Sequence, residues 1–182
     1  MKQFLLILIM SLSIPILHAQ DYVREMDKKS NKVILRGKMN FADIQKETVC
    51  KWFDLGVNAY KPNEEIVERI KPIIGHYRLV IFGGTWCSDT QLLFPQLYKT
   101  LKAVGFDMNA IEMYGVNRAK ESLNLEHKFY NIINVPTIIV MHQYREVGRI
   151  IETVHTTIEE DLLAIIEKDA DQIEKKRLER FK

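Results

Sequence analysis

The chain has 182 residues, 47% hydrophobic and 27% charged, the composition of a globular protein with enough length for one well-packed core. Its 26 basic and 24 acidic residues nearly cancel, which argues against nucleic acid as a partner. Only two cysteines, Cys50 and Cys87, are present, so a fold held by a disulfide framework is excluded.

Residues 1–20 read as a secretory signal peptide. Lys2 supplies the positive start, Phe4 to Leu17 is apolar but interrupted by Pro15, and the small residue Ala19 precedes Gln20 and Asp21. The run is shorter than the ~20 residues a spanning helix needs. The expectation is an exported protein, periplasmic in a Gram-negative cell and otherwise secreted, touching a membrane only through an uncleaved signal.

Residues 21–62 form an N-terminal extension. Asp21 to Asn31 is charged and aperiodic and reads as a loose end, and Val33 to Leu35 as a short edge strand. Between Phe41 and Tyr60 the apolar spacing is too irregular for one helix, and two short helical pieces are expected. Cys50 lies among them beside Trp52 and Phe53. It is either a small core residue or a thiol able to reach Cys87, which would need alpha carbons within about 7 Å.

A domain over residues 63–169 follows. Asn63, ahead of Glu64 and Glu65, is placed to cap a helix whose stripe is Ile66, Ile70 and Ile73 or Ile74. Leu79 to Phe82 is an apolar run broken by Gly83 and Gly84, and a helical pattern at Leu93, Leu97, Leu101 and Val104 comes next. Cys87 therefore stands where a strand passes into a helix. Unpaired amides and the positive end of the helix dipole favour a thiolate there, making Cys87 a candidate nucleophile. Asp89 either complements the dipole from the first turn or exchanges protons with Cys87, its charge then opposing the thiolate. The Thr90 hydroxyl can bond the sulfur or the preceding turn.

Further along, Asp107 to Val116 reads as a strand, and Leu123 to Ile132 as a helix with Leu125 and Phe129 on one face. Thr137 to Met141 and Val147 to Ile151 read as a hairpin. Thr157 with Glu160 can cap a last helix carrying Leu162, Leu163, Ile165 and Ile166. Residues 170–182 form a charged helical tail. His76, His127, His142 and His155 show no metal-ligand spacing, and no metal or cofactor is expected.

The sequence LVIFGGTWCSDT, with Pro95 eight residues after Cys87, resembles the active-site strand and helix of the thioredoxin superfamily, and IINVPTIIV resembles its cis-proline loop. The single-cysteine WCSDT pattern is most similar to exported thioredoxin-like proteins. The resemblance implies an α/β thioredoxin-like fold, a central mixed sheet flanked by helices, here with an N-terminal helical extension. It also implies a cis Val135–Pro136 bond beside Cys87, with Trp86, Val135 and Pro136 contacting substrate. Two features depart from the family: Thr90 stands where a second cysteine is usual, and Ile81 where a buried acid is usual.

A thiol-disulfide exchange protein with Cys87 as its single nucleophile is the implied function, working on protein thiols or disulfides. Its mixed disulfide would be resolved by a small-molecule thiol, a partner reductase or Cys50. The alternative is an inactive binding module that keeps the Pro136 groove for peptides.

Overall fold

The computed structural model describes residues 21–180; the expected signal peptide lies outside the described residues. Strands β1 (Tyr22–Asp27) and β2 (Lys32–Met39) form an antiparallel hairpin. Short helices α1 (Phe41–Lys46) and α2 (Trp52–Ala59) follow, separated by a 3-10 turn at Thr48–Cys50. Then come α3 (Glu64–Ile70), β3 (Tyr77–Gly83), α4 (Ser88–Ala103), β4 (Ile111–Gly115), α5 (Glu126–Phe129), β5 (Thr137–His142), β6 (Arg145–Ile151) and α6 (Ile158–Glu179). The strands make one six-stranded sheet in the order β1-β2-β4-β3-β5-β6, in which β3 and β4 are parallel and the other pairs antiparallel. This is the mixed sheet flanked by helices that the sequence implied.

The apolar run in β3 is continuous because both faces of that strand are covered. Leu79 and Ile81 point into the larger core, with Phe53, Ile70, Phe94, Leu97, Ile138 and Leu162. Val80 and Phe82 point the other way, into a smaller cluster with Tyr114, Val116, Ile132, Val135 and Ile139. Trp86 and Cys87 pack on this smaller side.

Three expectations are corrected. The segment expected as a loose end is β1, and the edge position falls to it instead of to β2, so the extension joins the sheet through two strands. Its missing alternation has a cause: the buried residues are Tyr22 and the polar Asp27, while Val23 and Met26 face solvent, as suits an edge strand. Second, the strand expected from Asp107 begins only at Ile111. Asp107 takes the Asn109 N–H at 2.9 Å and holds Met108–Ala110 in a 3-10 turn.

Third, the helix expected over Leu123 to Ile132 shrinks to the four residues of α5. The Glu126 carboxylate turns back to the Asn124 N–H and the Ser122 hydroxyl, and Asn131 adopts φ +52°, ending the turn. Leu125 and Phe129, placed together on one face of that helix, are 65% and 81% exposed. The cap expected on α3 is present, with Asn63 accepting from Glu65 and Ile66 N–H groups. On α6, Thr157 Oγ1 accepts from the Glu160 N–H. That helix buries its first half and runs on without a break as an exposed tail.

Candidate active site

Cys87 is the N-cap of the 16-residue helix α4, with extended backbone (φ −92°, ψ 129°), and no side chain caps the helix. The amides of the first turn are therefore open toward the sulfur. Cys87 is half-buried and not in a disulfide. Its Sγ donates to the Val135 carbonyl at 3.4 Å and lies 3.9 Å from Asp89 Oδ2. The Val135–Pro136 peptide is cis, and both residues are buried. Cys87, Asp89, Trp86, Val135 and Pro136 are thus brought together at one end of the sheet.

The loop that carries the sulfur is pinned at every turn. Leu35 N–H donates to Thr85 Oγ1 at 3.2 Å, Gln91 Nε2 donates to the Thr85 carbonyl at 2.8 Å, and Trp86 Nε1 donates to the Val116 carbonyl at 2.9 Å. The buried Thr90 hydroxyl accepts the Gly84 N–H at 3.2 Å. Of the readings open for Thr90, neither a bond to sulfur nor one to its own helical turn is made; it fastens the helix to the loop. The glycine pair is there for close approach. A Cβ on Gly83 would sit 2.1 Å from Phe94 Cζ, and one on Gly84 2.5 Å from the Trp86 indole.

Ile81 is fully buried in the larger core among apolar side chains. Asp89 is the carboxylate that reaches the sulfur. Beside it a groove of about 250 Å³ runs between Leu92 of α4 and Glu152, Thr153 and Thr157 of the segment joining β6 to α6.

Cys50 sits apart from this chemistry. It is 2% exposed and belongs to the larger core. Burial, reinforced by the Glu47 charge, pushes its thiol up to about 12. A cavity of about 190 Å³ has Cys50, Trp52 and Trp86 in its walls, but Cys87 does not line it.

Sequence reasoning missed Arg118. Its guanidinium carbon lies 4.8 Å from the centre of the Trp86 ring, and its Nε and Nη2 donate to the two carboxylate oxygens of Asp27 at 2.8 and 2.7 Å. The bond to Asp27, and more weakly the neighbouring Cys87 sulfur, favour its charged form. Asp27 is held well below the usual carboxylate range, first by Arg118 and then by Ser30. No motif flags an arginine 31 residues from the cysteine and three beyond a strand end. The one clue was an aspartate in a charged segment with no apparent task.

No protein-family model and no curated protein matches the chain. Among solved structures, a protein of unknown function from Pseudomonas aeruginosa is similar at 20% identity over 72% of this chain and 93% of its own, with a TM-score of 0.52. An HIV epitope scaffold is similar at 19% identity with the same coverage and TM-score. Thioredoxin O2 from Arabidopsis thaliana aligns at 15% identity over 57% of this chain and 83% of its own, with a TM-score of 0.37. At 19–20% identity and a TM-score of 0.52, the first two likenesses speak to the fold alone.

Proposed function

We propose that this protein carries out thiol-disulfide exchange through Cys87 as a single nucleophile. The observation that carries the reading is the placement of a half-buried sulfur at the uncapped N-terminus of α4, against the Val135 carbonyl. A thiolate there receives the first-turn amides and the helix dipole. It attacks one sulfur of a disulfide, forms a mixed disulfide through Cys87 and releases the other sulfur as a thiolate, which takes up a proton. Asp89, at 3.9 Å, is the carboxylate able to exchange that proton. Thr90 holds the loop and helix in register, and Trp86, Val135 and Pro136 line the approach.

Resolution then comes from outside the chain. Thr90 has no sulfur to offer, and the Cys50 thiol, buried and pushed up to about 12, supplies almost no thiolate at neutral pH. A small-molecule thiol or a partner reductase attacks the mixed disulfide, returning Cys87 as a thiolate. An exported location, which keeps disulfide substrates available, fits this chemistry.

The test is turnover of a mixed-disulfide substrate with a small thiol as reductant. Cys87→Ser abolishes it, and Cys50→Ser leaves at least about half of it, as expected for a thiol outside the reaction. Loss of activity in both variants would make Cys50 the resolver. No turnover in the intact protein, with peptide binding retained, would leave the binding-module reading standing.

A further inference from the structure

We propose that Arg118 is a positioning residue that raises the reactivity of Cys87, and that Asp27, from the N-terminal hairpin, restrains it. Three contacts carry the inference. The guanidinium lies on the Trp86 ring, 4.8 Å from its centre, and Trp86 is the residue directly before the nucleophile. Trp86 is itself fixed by its bond to Val116, two residues before Arg118, so indole and guanidinium are set by one loop. The bidentate pair with Asp27 then locks the guanidinium in place from β1.

The charges around the sulfur can be ordered. Asp89, on α4, presents a carboxylate at 3.9 Å and disfavours the thiolate. Arg118, from the loop after β4, opposes it with a positive charge held over the ring of Trp86, the residue next to the nucleophile. Asp27, on β1, stands behind Arg118 and cancels part of that charge. A point charge several ångströms away in a partly solvated site moves a pKa by roughly half a unit to one unit. The sheet extension at β1, which ends on the buried Asp27, is thereby coupled to the nucleophile.

The experiment measures the rate of Cys87 alkylation by iodoacetamide against pH in a Cys50→Ser background, which gives the thiol pKa without any turnover substrate. Arg118→Gln raises the Cys87 pKa by about half a unit to one unit, and Asp27→Asn lowers it by a smaller step. Arg118→Lys, which keeps the charge and loses the bidentate fork, stays nearer to the parent than Arg118→Gln. Arg118→Gln leaves the Asp27 carboxylate buried without its partner and can fail to fold. The double variant Asp27→Asn with Arg118→Gln has no charge to strand and carries the test in that case. Its pKa lies above the parent and below Arg118→Gln.

An order of Asp27→Asn, parent, double variant, Arg118→Gln supports the proposal. Unchanged values, or shifts of one sign in both single variants, overturn it and leave the pair as a packing contact. The inference deepens the exchange reading and rests on it for its consequence in turnover. Absent turnover with the charge order intact would sink the exchange reading alone.

Discussion

The two faces of the sheet each hold one cysteine, and they treat it oppositely. On the larger face, α1 to α4 and α6 cover the strands, and Cys50 is enclosed among apolar side chains, with the Glu47 charge opposing its ionisation. On the smaller face a single four-residue helix and its flanking loops lie near the strand ends, and Cys87 remains within reach of solvent at their rim. One side chain type thus becomes an inert filler or a candidate nucleophile according to the depth of the layer above it. The difference lies in the packing of the surroundings, since both thiols are free.

The most forceful way to break the contrast is to charge the thick face. Ile81→Asp puts an acid on the central strand, where Ile81 is fully buried among the apolar side chains of the larger core. The expected loss is about 3–5 kcal/mol in a denaturant titration, the cost of an unpaired buried charge. A loss below about 1 kcal/mol would mean that this face admits water and that the two layers are less distinct than their packing implies.

Differential labelling sharpens the comparison directly. At pH 7.5 Cys87 reacts with iodoacetamide in the folded protein, whereas Cys50 reacts only through opening of the core, at least ~100-fold more slowly. Mass mapping of partially labelled protein checks this. Equal rates would remove the case for an external resolving thiol.

A smaller effect marks the far end of β3, away from the site. Asp169 is buried and bonded by Tyr77 Oη at 3.2 Å, His142 Nδ1 at 2.6 Å and Arg145. Burial pushes its carboxyl up, and the bonds from Arg145 and His142 outweigh that, so the net displacement is below the usual carboxylate value. The fold therefore favours the ionised form. The stability this contributes is complete above the unfolded pKa of about 3.9 and is lost as pH falls further. Asp169→Asn lowers the melting temperature at pH 7 and flattens its decline between pH 5 and pH 3. An acid limb as steep as the parent's would assign acid sensitivity to another carboxylate, Asp27 first.

What could be read in advance follows the same division. The strand, the glycine pair and the helix around Cys87 were legible because apolar runs, glycines and caps are local signals, and Asn63 and Thr157 announced their helices in the same way. The hairpin at β1 was hidden because its burial depends on Tyr22 meeting Glu47 and Asp27 meeting Arg118 across 25 and 91 residues. The role open to Thr90 was decided by a backbone amide of the preceding loop, Gly84, which spacing alone does not bring near. Arg118 was invisible for the reason that makes it interesting: it acts through a partner distant in sequence.

The smallest expected effect tests the thin face itself. Leu125 and Phe129 have helical spacing, and both side chains stand in solvent on a short α5. Phe129 makes one edge-on contact, with Tyr130 at 4.8 Å between ring centres, while Tyr130 in turn lies against Phe82. The burial that matters is therefore carried by Tyr130. Phe129→Ser changes stability by no more than about 0.5 kcal/mol, the range of exposed substitutions, whereas Tyr130→Ser costs more because it uncovers Phe82. Paired urea titrations of the two variants decide it. A Phe129→Ser loss comparable to that of a core residue would show that α5 packs its apolar face inward, and the thin face would then be as thick as its opposite.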